Sequence, residues 1–213
     1  MQHILNFSGT LAEEGFSPEG VEIHDYSSLE GSNCFCSPES RDFLLRDLPC
    51  GGICWADTGD YHYVSLLRYL KLPSRPELLL FDQHHDNAPL EDLLSCGNWL
   101  SALPQGSIGR WYRSTEDFEA DPPRSREVFL SIDLDVLCTC EFCTNWDQGT
   151  LSWPRLKAML DTIFASHKVL GVDICGGKSR AKGANDAQLK MNLELRQELY
   201  TYLYGKEEEI SAY

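Results

Sequence analysis

Four short runs that are apolar on both faces constrain this chain more than any other feature: Ile53 to Ala56, Leu78 to Phe81, Val128 to Ile132 and Val169 to Ile174. A strand on the surface of a sheet alternates apolar and polar residues, so a run without alternation belongs to a strand covered from both sides. Ile4 to Phe7 adds a first strand of the same kind. Between the runs lie segments with helical spacing, at Tyr63 to Leu72, Leu90 to Leu103, Trp153 to Phe164 and Ala187 to Tyr204. Alternation of buried strands with helices predicts an α/β fold, a three-layer αβα sandwich with a central, mostly parallel sheet. Ser152 before Trp153-Pro154 is a helix start, since serine can cap and proline is tolerated in the first turn. The paired prolines of Asp121 to Glu127 mark a connecting surface loop.

A chain of 213 residues suits one domain over 1–213. Its formal charge of -15 lacks the basic footprint that phosphate backbones or an anionic membrane surface require, so neither nucleic acid nor membrane is expected as a partner. The same field attracts small cations and divalent metal ions. Nine cysteines are an odd number, and no apolar leader-like core follows the start, so a cytoplasmic protein is expected. No apolar run approaches the roughly 18 to 20 residues of a membrane-spanning helix. The helical stretch from Leu189 presents an apolar face that serves the core or a homo-oligomer contact.

In open parallel sheets, sites form at the carboxyl ends of strands, which gives weight to polar residues placed directly after an apolar run. Two segments meet that condition. After Phe81 come Asp82, His84 and Asp86 at i, i+2 and i+4; after Ile132 come Asp133 and Asp135 with the same step of two. In an extended chain such spacing turns each set to one side. A third segment follows Ala56 and supplies His62 at the opening of a helix. Four aspartates with no matching lysine or arginine cluster would repel one another, and two divalent cations would balance them. Carboxylate with some imidazole and no thiolate favours Mn²⁺ or a similar hard to borderline ion.

These segments resemble the metal motifs of the arginase, agmatinase and formiminoglutamase superfamily, which read G-G-D-H, D-A-H-x-D and S-x-D-x-D in that order. The counterparts here are "GDYH" ending at His62, "DQHHD" from Asp82 to Asp86, and "SIDLD" from Ser131 to Asp135; the first has Tyr61 interposed. The chain is similar in particular to short bacterial arginase-like proteins, including ones acting on arginine within peptides. The resemblance implies an arginase/deacetylase-like fold and two Mn²⁺ ions per chain. One would be held by His62, Asp82, Asp86 and Asp133, the other by Asp82, His84, Asp133 and Asp135. It further implies a hydroxide shared by the metals attacking a guanidino or amidino carbon and releasing urea. Asp86 and Asp135 are the implied catalytic carboxylates, with Asp86 passing the proton to the departing amine. The implied substrate is a small cationic guanidino compound or an arginine-containing peptide.

The glutamate with which arginases pair the guanidinium falls, counting from Asp173, on Gly176. Asp147 is a candidate substitute, with Trp146 and Trp153 as walls for a cationic group. Without that anchor, a deacetylase-type amide hydrolase and a non-catalytic metal-binding protein stand as alternatives. His85 is turned away from the ligands by the alternation, and His3, His24 and His167 read as ordinary histidines. Cys138, Cys140 and Cys143, with Cys34 and Cys36, are an alternative thiolate zinc site, but they lack the paired spacing of a well-defined structural site and read otherwise as free thiols. The "CGGKS" run is a turn, since the earlier glycine of a phosphate loop is missing.

Overall fold

The computed structural model of the chain describes residues 1–90 and 92–210. Among the described residues nine strands occur in chain order: β1 (Gln2–Asn6), β2 (Glu22–Asp25), β3 (Phe35–Cys36), β4 (Ile53–Ala56), β5 (Glu77–Phe81), β6 (Leu94–Ser95), β7 (Gly109–Tyr112), β8 (Glu127–Asp133) and β9 (Lys168–Cys175). Six α-helices accompany them: α1 (Thr10–Glu14), α2 (Pro38–Asp47), α3 (Val64–Leu70), α4 (Thr115–Ala120), α5 (Trp153–Ser166) and α6 (Asp186–Tyr204). Seven strands form one sheet in the order β2-β1-β4-β9-β8-β5-β7, and every neighbouring pair is parallel. β3 and β6 pair antiparallel in a separate ribbon.

The runs without alternation are the central strands. In β5, Leu79 and Phe81 enter one apolar cluster together with residues of α1, α4, α5 and α6, whereas Leu78 and Leu80 enter another with residues of α2 and α3. Two helical layers thus cover the sheet, and the expected αβα sandwich is present. Because each strand face is buried, its apolar side chains need no solvent-facing partner.

The segment from Leu90 to Leu103 is not the expected helix. Residue 91 lies outside the described residues; the rest holds β6 and a 3-10 turn over Trp99–Ala102. Asn98 explains the departure, because its side chain accepts from Ser95 N–H and donates to Leu93 carbonyl, giving the backbone a local alternative to helix. Ser152 does stand at the start of α5, with proline in the first turn, but its side chain makes no capping bond. The sequence reading also passes over α2, whose start carries a better signal than α5: Ser37 accepts from Ser40 N–H ahead of Pro38.

Candidate metal centre

β4, β5 and β8 all deliver their carboxyl ends to one edge of the sheet. After β4 the chain turns through Gly59–Tyr61 and places His62 just before α3. Asp57 fixes the departure, its carboxylate accepting from Phe7 and Ser8 N–H at the end of β1. His62 Nε2 lies 2.8 Å from Ser131 Oγ, which donates at 2.8 Å to Ser65 Oγ. With its own proton committed to Ser65, Ser131 accepts from Nε2–H. That leaves Nδ1 as the nitrogen free to ligate, and it faces Asp82 Oδ2 at 3.0 Å and Asp86 Oδ2 at 2.9 Å.

Asp82 follows β5 directly. Its second oxygen accepts from His84 N–H at 2.6 Å, and its carbonyl is held by Trp111 Nε1 at 2.8 Å. His84 Nδ1 meets Asp135 Oδ2 at 2.8 Å. Asp133 and Asp135 share a side, but through a 3-10 turn over Leu134–Val136 and not through strand alternation, and Asp135 N–H donates to Asp133 Oδ1 at 3.0 Å. Asp86 likewise reaches the cluster because its backbone is left-handed, φ 49°, a conformation aspartate tolerates better than most residues. Trp99 Nε1 then fixes Asp86 Oδ2 at 2.7 Å.

All six candidate ligands converge. His62, Asp82 and Asp86 form one group able to hold an ion, and Asp82, His84 and Asp135 form another, with Asp82 common to both. Asp133 Oδ2 lies 3.8 Å from His62 Nδ1. The donor set fits a cation on two observations. His62 Nδ1 and Asp82 Oδ2 are buried, 3.0 Å apart, and neither makes a hydrogen bond. The charge balance is also unfavourable without an ion. Burial, and then Asp82, push Asp133 up to about 6; burial, and then Asp133, push Asp135 up to about 8. Burial also raises Asp86. For Asp82, burial is outweighed by the neighbouring His62 and His84 imidazoles, and its carboxyl is lowered. The Asp135 bond raises His84 to about 10. Burial alone would lower His62, yet Cys175, Asp82 and Asp86 together hold it well above the ordinary imidazole range.

Cys175 is a participant that the sequence reading missed. It ends β9 in register with Asp133, and its thiol donates to Asp133 Oδ2 at 3.2 Å. His62, Asp133 and Cys175 lie close enough to share an ion. The premise of a thiolate-free donor set is therefore corrected: a sulfur lies within the cluster. The signal was available, because Cys175 directly follows an apolar strand at the same sheet edge as the aspartates.

Two glycines are fitted to Asp133. A Cβ on Gly59 would stand 2.6 Å from Asp133 Oδ2, and one on Gly176, φ 104°, would stand 2.8 Å from Oδ1. Position 176 thus excludes a glutamate by sterics as well as by identity. A cavity of about 410 Å³ opens above the cluster, lined by His85, Asn87, Cys96 and Trp146 besides the candidate ligands other than His62. Trp146 Nε1 donates to buried Asp60 at 3.0 Å, so it is placed as the expected wall. Asp147 is exposed and does not line the cavity, and Trp153 packs edge-on against Tyr202 beside α6. His85 stacks on Trp111, 4.5 Å between centroids, in keeping with its exclusion as a ligand. Cys138 and Cys140 are joined by a disulfide while Cys143 is buried and unpaired, which corrects the free-thiol reading of the first two.

Strand order and layering are those of a parallel α/β sandwich that solved agmatinase and arginase structures share. Among solved structures the chain is similar to agmatine ureohydrolase of Thermoplasma volcanium, with a TM-score of 0.61 and 13% identity over 98% of this chain and 90% of that one. It is also similar to arginase from Bacillus subtilis, with a TM-score of 0.60 and 11% identity over 93% and 97%. Formimidoylglutamase from Bacillus subtilis gives a TM-score of 0.57 and 11% identity over 95% and 86%. In sequence, an uncharacterized protein of Thermotoga maritima is 29% identical over 196 residues, covering 82% of this chain and 78% of its own. No family model matches the chain.

Proposed function

We propose that the chain is a binuclear manganese hydrolase of a carbon–nitrogen bond in a guanidino or amidino group. Supporting this reading above all is the convergence of His62, Asp82, His84, Asp86, Asp133 and Asp135 beneath one cavity in a fold shared with agmatinases and arginases. His62, Asp82, Asp86 and Asp133 would hold one ion, and Asp82, His84, Asp133 and Asp135 the other. Bound there, such ions would acidify a water and polarise the group under attack.

The chain's own residues supply the rest. Four carboxylates and the His84 and His85 imidazoles line the cavity, with no lysine or arginine among the described lining residues, and would draw in a cationic guanidinium. Trp146 offers a flat wall to its plane. Asp86, raised by burial and held by Trp99, is positioned to take a proton and hand it to the departing amine. Asp135, paired with His84, is the second carboxylate able to hold a proton at the floor.

One observation favours a second reading, amide hydrolysis. Among the described residues, none that is acidic lines the cavity apart from the candidate ligands, and Gly176 cannot carry an anchor. Assay of the Mn²⁺-loaded chain on arginine, agmatine, arginine-containing peptides and acetylated amines separates the possibilities. Urea release that disappears in Asp133→Asn supports the proposal. Acetate release without urea transfers support to the amide reading, and neither product leaves a metal-binding protein without this catalysis.

A further inference from the structure

A second cluster lies away from the carboxyl edge, on β1 and the edge strand β2. His3 and Glu22 are register partners, and His24 follows Glu22 by two residues, so all three side chains rise from one face of the sheet. His3 Nδ1 and His24 Nε2 stand 3.1 Å apart. Glu22 Oε2 is 3.3 Å from the first and 3.8 Å from the second. Ligand atoms about 2.0 to 2.1 Å from one tetrahedral zinc are separated from each other by about 3.3 to 3.4 Å. The three observed separations bracket that value. We infer that His3, Glu22 and His24 form a divalent-metal site, selective for zinc-like ions, that fastens the edge strand β2 to β1.

The surroundings support the assignment. His3 is buried and His24 half-buried, while Glu22 is 60% exposed, which leaves an open side for solvent as a further ligand. Two imidazoles and one carboxylate suit zinc, and they differ from the carboxylate-rich centre at the opposite edge. Tyr26 lies parallel to the His24 ring, 6.3 Å between centroids, and fixes its orientation. A hydrogen bond between the rings could occupy a single proton and would leave the Glu22 carboxylate, which only accepts, beside two nitrogens with no second proton between them.

The test uses the untagged full chain. Zinc is added in excess, unbound ion is removed by gel filtration, and zinc per chain is measured for the parent and for His24→Ala. Loss of one zinc equivalent in the variant is expected, together with zinc-dependent shifts of the His3 and His24 ring resonances in the parent. Equal zinc content in a folded His24→Ala, or His3 and His24 resonances unmoved by zinc, overturns the inference. Should His24→Ala fail to fold, the parent's ring resonances decide the question alone.

Discussion

Asp133 is the residue on which the centre turns. It is buried, it receives bonds from Asp135 N–H and the Cys175 thiol, and two glycine backbones approach its oxygens. Gly59→Ala would push a methyl into Oδ2 and against Trp146, whose Cδ1 would lie 3.1 Å away. A loss of metal affinity of roughly 10- to 100-fold is expected with little change in melting temperature, read by metal content after dialysis. Asp133→Asn is expected to abolish metal retention and turnover. Because it removes one carboxylate from a repulsive cluster, the chelated variant should be more stable than the chelated parent by about 1 kcal/mol, measured by urea denaturation. Equal or lower stability of the variant would show that the cluster is not frustrated without its cations. Cys175→Ser should leave the fold intact and move ion preference away from zinc toward manganese, tested by competitive loading.

Among elements, α6 carries an unannounced duty. It was legible from its spacing and is present over Asp186–Tyr204 with an Asn185–Gln188 capping box. Its buried Arg196 pairs with buried Glu14 of α1 and donates to the Gly176 carbonyl, and Asn192 bridges Glu14 to Cys143. Such a set leaves an uncompensated charge if one member is lost. Glu14→Gln is expected to destabilise by about 3 to 5 kcal/mol, observed as a lower denaturation midpoint. Periodicity marks Leu189, Leu195, Leu199 and Leu203 as core but is blind to an arginine in the same stripe whose partner lies in α1.

The same division explains what could be read elsewhere. The apolar runs located β4, β5, β8 and β9 almost to the residue, because burial on both faces leaves a mark in each strand alone. β2 and β7 at the edges, and the ribbon of β3 and β6, carry no such mark and were not foreseen. That the six candidate ligands would meet at one sheet edge was legible from strand ends and motif order, but the means of their convergence was not. The left-handed Asp86 and the turn after Asp133 do the bending that alternation was expected to do. Asp147 shows the opposite failing, where closeness in sequence to the motif was no guide to reaching the cavity.

For the whole molecule, pH acts through opposing groups. The raised groups Asp133, Asp135 and His84 contribute stability below their unfolded values, and that contribution is lost as pH rises through about 6, 8 and 10 respectively. His3 acts the other way. Its folded value of about 4 lies below the unfolded value, so its contribution holds above about 6.5 and is lost as pH falls toward 4. In chelator, the urea midpoint should therefore fall between pH 6 and pH 9, whereas the metal-loaded protein should hold steady over that span. Metal uptake at pH 7 should release protons, detectable with a pH indicator in weak buffer. A flat midpoint in chelator would contradict the charge balance described for the centre.

The position of β9 adds a consequence of another kind. It is the last strand of the sheet to be made, yet it lies between β4 and β8. Until it is in place, His62 following β4 and the aspartates of β5 and β8 belong to separate halves with a gap between them. During synthesis the candidate ligands through Asp135 leave the ribosome long before they can act together. The group that includes His62 must therefore wait for β9, whereas Asp82, His84 and Asp135 follow the adjacent strands β5 and β8 and can meet before it, so the two halves of the candidate centre would assemble in sequence.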